Sequence, residues 1–137
     1  MSQNITRWKF DTEIEAPCAE ISFATLPDRK LRVVMHFSLV RDGLPNDLEI
    51  IFDRAYALAW HDESLYSFSA HWPKPLPKLS SGKWKGWTYP FLQIHESEWL
   101  KRVEFHPLAK HSVHFALVSM NDIVEVVAGP APVHRWL

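Results

Sequence analysis

Strict alternation between apolar and polar side chains is the feature of this sequence that most constrains its fold. The alternation is clearest at residues 31–40, where one parity holds Leu31, Val33, Met35, Phe37 and Leu39. Because successive side chains of a β-strand point to opposite faces of a sheet, this period of two predicts a strand with one buried face. The same pattern, weaker in places, predicts further strands at residues 6–15, 20–25, 64–70, 87–94, 113–119 and 123–128.

Residues 48–60 admit two interpretations. The alternation continues through this segment and indicates a strand, with Leu48, Ile50 and Phe52 on one face. The alanine-rich stretch at 54–59 also permits a helix, since Phe52, Tyr56 and Trp60 would then line one helical face. We favour the strand, interrupted by a bulge near residues 53–54.

One segment, residues 97–105, is typical of a helix. Ser97 suits the N-cap position because its hydroxyl can accept a hydrogen bond from a backbone N–H group at the helix start. Glu98 then complements the positive end of the helix dipole. An apolar stripe follows, formed by Trp99, Leu100 and Val103.

Together these patterns predict an α+β fold that is mostly β, with about seven or eight strands and one short helix near residues 97–105. Consecutive strands joined by short loops are antiparallel. We expect a strongly bent antiparallel sheet, either a partly closed barrel or a sandwich, with the helix over one end or face. The whole chain, residues 1–137, has the size of a single globular domain.

Charge and cysteine content restrict the environment and the partners. Cys18 is the only cysteine, so no internal disulfide can form, and no stretch is apolar enough for a signal peptide or a membrane span. We therefore expect a cytoplasmic protein without membrane contact. The formal net charge of −1 lacks the positive excess typical of nucleic-acid binding, which we rank last among the functions considered.

The sequence contains no recognisable catalytic or cofactor motif. None of the eight histidines has the spacing of a helical metal site, and we expect neither a metal nor another cofactor. Cys18 has no basic neighbour in the sequence that would lower its pKa, which predicts an unreactive thiol. The chain also lacks a Gly-x-Ser-x-Gly elbow and a glycine-rich phosphate loop. These observations favour a non-enzymatic protein.

A proline-rich loop at residues 73–86 carries the strongest binding signal. It contains four lysines and no acidic residue, and tryptophans lie within it and on both sides of it. Alternating Lys and Trp side chains can hold anions, stack on rings or contact an acidic protein surface. We predict a binding site formed by Trp72, Lys83, Trp84, Lys85 and Trp87. The partner would be another protein or a second copy of this chain.

A second hypothesis places a small-ligand pocket, or a small enzyme, inside the bent sheet. Its aromatic wall and His/Glu cluster would come from Trp60, His61, Glu63 and His95. Imidazole and carboxylate groups near strand ends can perform acid–base chemistry if the fold brings them together. An interior filled with side chains would instead favour the interaction module.

Overall fold

Nine strands and one helix form the described part of the chain in a computed structural model, which describes residues 4–9, 14, 16–37, 46–62, 76–103 and 110–137. In chain order they are β1 (Asn4–Arg7), β2 (Cys18–Leu26), β3 (Lys30–Phe37), β4 (Asp47–Phe52), β5 (Ala57–Asp62), β6 (Phe91–His95), α1 (Glu98–Val103), β7 (Val113–Val118), β8 (Asp122–Ala128) and β9 (Val133–Trp136).

The strands form two antiparallel sheets in a sandwich-like arrangement. The five-stranded sheet has the order β1-β6-β7-β8-β5, and the four-stranded sheet has the order β2-β3-β4-β9. The predicted class, mostly β with antiparallel strands and one short helix, is therefore confirmed. Of the two forms considered for the bent sheet, the sandwich is the one observed, because neither sheet closes on itself.

Aromatic side chains join the two sheets. Phe52 on β4 lies 5.3 Å from Phe115 on β7, measured between ring centroids. Trp8, which follows β1, contacts both rings, at 6.0 Å from Phe52 and 4.6 Å from Phe115. A second contact joins Phe37 on β3 to Phe91 on β6 at 6.0 Å. These rings come from the apolar parity of each strand, so the alternation in the sequence directly produces the interior of the sandwich.

Residues 48–60 contain two strands that belong to different sheets. The helical interpretation of this segment is wrong, and the interruption near residues 53–54 is larger than a bulge. Arg54 has a φ of 50°, and the Asp53 carbonyl accepts a hydrogen bond of 2.9 Å from the Gly129 N–H. The chain thus leaves β4 in one sheet and enters β5 in the other. A regular alternation on both sides of the break conceals this crossing in the sequence.

Several other predicted elements differ in extent from the strands and helix observed. β1 begins before the predicted strand 6–15 and overlaps it at residues 6–7, while residues 10–13 and 15 lie outside the described part. The predicted strand 87–94 is a strand only from Phe91, in β6, and the predicted strand 64–70 lies outside the described residues. α1 begins after Ser97 as predicted, while residues 104–105 lie outside the described part. The C-terminal segment, which carries no strong strand pattern, forms β9 by pairing with β4.

An ion-pair ladder crosses the outer face of the four-stranded sheet. The Glu49 carboxylate on β4 accepts hydrogen bonds of 2.7 Å from Arg135 on β9 and from Arg32 on β3. These two guanidinium groups hold the pKa of Glu49 below its ordinary value. The three charged side chains therefore connect three neighbouring strands on the face away from the core.

Replacing Phe52 with alanine should lower the free energy of unfolding by about 3–5 kcal/mol, because the change removes a fully buried ring and leaves a cavity. Urea unfolding followed by circular dichroism measures this loss. Trp87→Ala is the matched control, since the Trp87 ring is 47% exposed and its loss should cost much less. Equal losses for the two variants would contradict the assignment of the core.

Candidate functional site

A buried polar cluster lies on the face of the five-stranded sheet that points away from the other sheet. Its members are Ser97 before α1, His114 on β7 and Glu125 on β8, and all three are almost fully buried. Ser97 Oγ lies 2.6 Å from His114 Nδ1, and His114 Nε2 lies 2.8 Å from Glu125 Oε1. The result is a continuous hydroxyl–imidazole–carboxylate chain between the helix and the sheet.

Strand register explains why these side chains meet. Glu125 lies directly opposite Ala116 on β7 and Ala59 on β5, so its nearest neighbours on the same face are small. His114 and His61 are the diagonal neighbours, and long side chains reach across a sheet diagonal. His61 Nε2 lies 3.4 Å from Glu125 Oε2, which gives the carboxylate an imidazole on each side.

The hydrogen-bond pattern assigns the protons of this chain. The Leu100 N–H donates to Ser97 Oγ at 3.0 Å, as expected for an N-cap. The Ser97 hydroxyl is then left to donate to His114 Nδ1, and His114 donates from Nε2–H to the Glu125 carboxylate. These bonds satisfy one oxygen of the buried Glu125 carboxylate, while the other, Oε2, has no hydrogen-bond partner among the described residues and lies 3.4 Å from His61 Nε2.

The cluster has the order of groups found in serine hydrolases but not their accessibility. A nucleophilic serine must reach a substrate, whereas the Ser97 hydroxyl is buried and already bonded to the helix and to His114. The Trp99 ring lies edge-on to His114 with centroids 5.1 Å apart and covers it further. The geometry is that of a polar clamp between α1 and the sheet.

The sequence pattern identifies Ser97 as a helix cap and His61 as a member of the alternative pocket, but it assigns no site role to His114 or Glu125. One signal for the cluster lies in the position of Glu125. Glu125 stands among apolar residues of a strand with two partly buried faces, and a carboxylate in such a place needs a buried partner.

The residues of the alternative pocket lie on different surfaces. Trp60 and His61 are consecutive in β5 and point to opposite faces, and Trp60, 55% exposed, donates from Nε1 to Asp122 at 2.7 Å. His95 lies on the face opposite His114, where its Nε2 is 2.8 Å from Thr6 Oγ1. Glu63 lies outside the described residues. Of the described members of this set, His61 alone joins the buried cluster.

The predicted binding residues 83–87 lie on an ordered turn, residues 79–87, which we call the Lys/Trp turn. Its last residues are hydrogen-bonded to its first. Leu79 is buried, its N–H donates to the Trp87 carbonyl at 2.7 Å, and its carbonyl accepts from the Gly86 N–H at 3.0 Å. Gly82 and Gly86 have φ values of 78° and 92°, which glycine adopts without steric cost. These contacts fix the backbone of residues 79–87.

The two tryptophans of this turn have different surroundings. Trp84 is half-buried and packs against the hydrophobic core, whereas Trp87 is 47% exposed. Their rings are perpendicular, with centroids 5.2 Å apart, so the anchored Trp84 supports the exposed Trp87. Lys83 places its ammonium 5.3 Å from the Trp84 centroid. Trp72, the fifth predicted binding residue, lies outside the described part.

The surface of this turn is positively charged. Lys78, Lys83 and Lys85 are exposed, and no carboxylate of the described residues forms an ion pair with any of them. A carboxylate from a binding partner would therefore meet ammonium groups that have no carboxylate neighbour within the described structure.

Cys18 is a buried thiol in the first position of β2. Burial raises its pKa from 9.0 to about 12, and its Sγ–H donates to the carbonyls of Glu20 and His36 at 3.2 and 3.5 Å. A thiol that keeps its proton at neutral pH is a poor nucleophile. The prediction from its sequence surroundings agrees with this environment.

The comparisons with known proteins give no relative. No family model matches the chain, and searches of curated proteins and of solved structures find no match. Among the described residues, no group of three or more His, Cys, Asp or Glu side chains could hold a metal ion. Within the same residues, no helix has the length and apolar character that crossing a bilayer requires.

Ser97→Ala should lower the free energy of unfolding by about 2 kcal/mol, because it removes the cap of α1 and the donor to His114. Urea unfolding measures the change. Ser22→Ala is the control, since Ser22 is exposed on β2 and should cost less than about 0.5 kcal/mol. If Ser97→Ala left the free energy of unfolding unchanged, the polar clamp would not stabilise the fold.

The Cys18 thiol should make the protein less stable in alkali. Its pKa is raised in the folded state, so its contribution to the free energy of unfolding is complete below pH 9.0. That contribution is lost as the pH rises toward about 12. Between about pH 8 and about pH 10 the wild type should lose about 1 kcal/mol more stability than Cys18→Ala. If the free energies of unfolding of the wild type and Cys18→Ala changed equally with pH, the raised pKa of the buried Cys18 thiol would be contradicted.

Proposed function

We propose that this chain is a non-enzymatic interaction module, cytoplasmic in location, that binds an acidic segment of a partner protein through residues 79–87. The observation that carries the proposal is the exposed Trp87 ring, supported by the anchored Trp84 on a turn that also carries exposed lysines. Tryptophan is enriched among the residues that dominate binding energy at protein interfaces.

Rigidity of the turn supports this function. Ordering a flexible loop on binding costs conformational entropy, and a loop held in its bound shape avoids much of that cost. The hydrogen bonds from the Leu79 N–H to the Trp87 carbonyl and from the Gly86 N–H to the Leu79 carbonyl already fix this turn in the free chain. A partner can therefore contact Trp87 without much further loss of conformational entropy in the turn.

Charge supports the choice of an acidic partner. The exposed Lys83 and Lys85 stand on either side of Trp84 in the sequence, and the Trp84 ring contacts the exposed ring of Trp87. An acidic segment with an aromatic or aliphatic side chain would pair its carboxylates with these ammonium groups and cover the indole. Such contacts accelerate association and select against basic partners.

A hydrolase is the second candidate, and the chain from Ser97 through His114 to Glu125 is the observation that favours it. We rank it lower because the Ser97 hydroxyl is buried and occupied. A fluorophosphonate probe, which labels activated serines, should leave the wild type unlabelled. If the probe labelled the wild type but not Ser97→Ala, the hydrolase would be favoured over the interaction module.

A peptide-selection experiment tests the interaction module. Random peptides displayed on phage are selected against the wild type, and the affinity of an enriched peptide is measured by fluorescence anisotropy. We expect acidic peptides with an apolar anchor. Trp87→Ala should weaken their binding about thirtyfold, the effect of removing an interface hot spot. Charge reversal at Lys83 and Lys85 should weaken it further and reduce its dependence on salt.

Trp60→Ala is the matched control for this experiment, because Trp60 is as exposed as Trp87 but belongs to the alternative pocket. It should leave the affinity unchanged. Loss of binding in Trp60→Ala but not in Trp87→Ala would move the binding site to β5. A selection that enriches no peptide would contradict the proposal as a whole.

A further inference from the structure

We infer that β2 forms a second interaction surface, on which β2 of another copy of this chain pairs antiparallel to give a homodimer with one continuous sheet. This surface is separate from the Lys/Trp turn and does not rest on the function proposed for it. Four strands lie at the edges of the two sheets, namely β1 and β5 in one sheet and β2 and β9 in the other.

Edge strands expose backbone groups that can pair with another strand, and proteins usually protect them by short length or charged side chains. β1 and β9 have four residues each, and β9 carries His134 and Arg135. β5 has six residues and ends in His61 and Asp62. β2 has nine residues, and positions 21–26 read Ile-Ser-Phe-Ala-Thr-Leu without a charge. It is the edge that lacks both forms of protection.

The solvent exposure of the β2 side chains agrees with an unprotected edge. Residues 22–26 are exposed in succession, so side chains on both faces of the strand are accessible. They include two large apolar side chains, Phe23 at 39% and Leu26 at 37% exposure. Across residues 20–26, β3 is the only strand of the described structure that pairs with β2. The side of β2 away from β3 therefore presents an uncharged edge flanked by apolar side chains.

The start of β2 is already occupied, which locates the pairing segment. The Cys18 carbonyl accepts from the Met120 N–H at 2.9 Å, and the Ala19 carbonyl accepts from Asn121 Nδ2 at 3.3 Å. A bulge separates residues 18 and 20 in the pairing with β3. An incoming strand would therefore add along residues 21–26, beyond these contacts.

Charge and symmetry identify the occupant as a second copy. Glu20 precedes the uncharged segment, and the turn that follows it, with the first residue of β3, holds one acidic and two basic residues, Asp28, Arg29 and Lys30. Antiparallel pairing of β2 with its copy brings Glu20 of each chain toward this turn of the other, whose net charge is positive. Parallel pairing would instead place like charges together. The antiparallel pair has twofold symmetry, consumes the edge of both chains and closes the assembly at two copies.

Sedimentation velocity tests this dimer directly. The wild type should approach twice the chain mass of 16.0 kDa as concentration rises. Phe23→Lys and Ala24→Lys should each return it to a single-chain mass, because like charges would meet near the twofold axis on either face of the sheet. Ala24→Lys removes no apolar side chain, and circular dichroism confirms that each variant remains folded.

Val133→Lys is the matched control, because it adds the same charge at an apolar side chain that is 64% exposed on a different edge strand, β9. It should leave the dimer intact, as should Trp87→Ala. Backbone amides of residues 21–26 should exchange with solvent more slowly in the wild type than in Ala24→Lys. A wild type that stays at single-chain mass at every soluble concentration, or a dimer that survives both lysine variants, would overturn the inference.

Discussion

The contact between Phe52 and Phe115 is the interaction on which the rest of the sandwich depends. It joins the two sheets at their centre, and Trp8 covers both rings from the end of β1. Once these faces are committed to the core, chemistry on the five-stranded sheet is confined to its other face and its edges. The buried clamp occupies that face, and the exposed tryptophans Trp60 and Trp87 lie outside the core.

The clamp of Ser97, His114 and Glu125 illustrates how a catalytic arrangement of groups can serve structure. Its hydrogen bonds join the helix cap to the sheet without a substrate, and the capped helix and Trp99 cover it. A buried polar network of this kind fixes one arrangement of α1 on the sheet, since any displacement would leave a buried charge without its partners. The exposed turn at residues 79–87 offers the opposite combination, accessible side chains on a fixed backbone.

Much of the fold could be predicted from alternation and capping, because each is a local property. The strand at 31–40 and the cap at Ser97 are such cases. The division of residues 48–60 between two sheets could not, since the parity is the same whether the chain stays in one sheet or crosses between two. His114 and Glu125 meet only through the register of β7 and β8. Likewise, no local pattern distinguishes the anchored Trp84 from the exposed Trp87.

The most direct test of the account follows the indole N–H signals of the seven tryptophans by NMR during titration with an acidic, aromatic-containing peptide. If Trp87 is the binding anchor, its signal and that of its neighbour Trp84 shift together and saturate, while the signal of Trp60, which is at least as exposed, does not move. A titration that shifts Trp60 and leaves Trp87 unchanged, or that shifts no indole signal, would contradict the account.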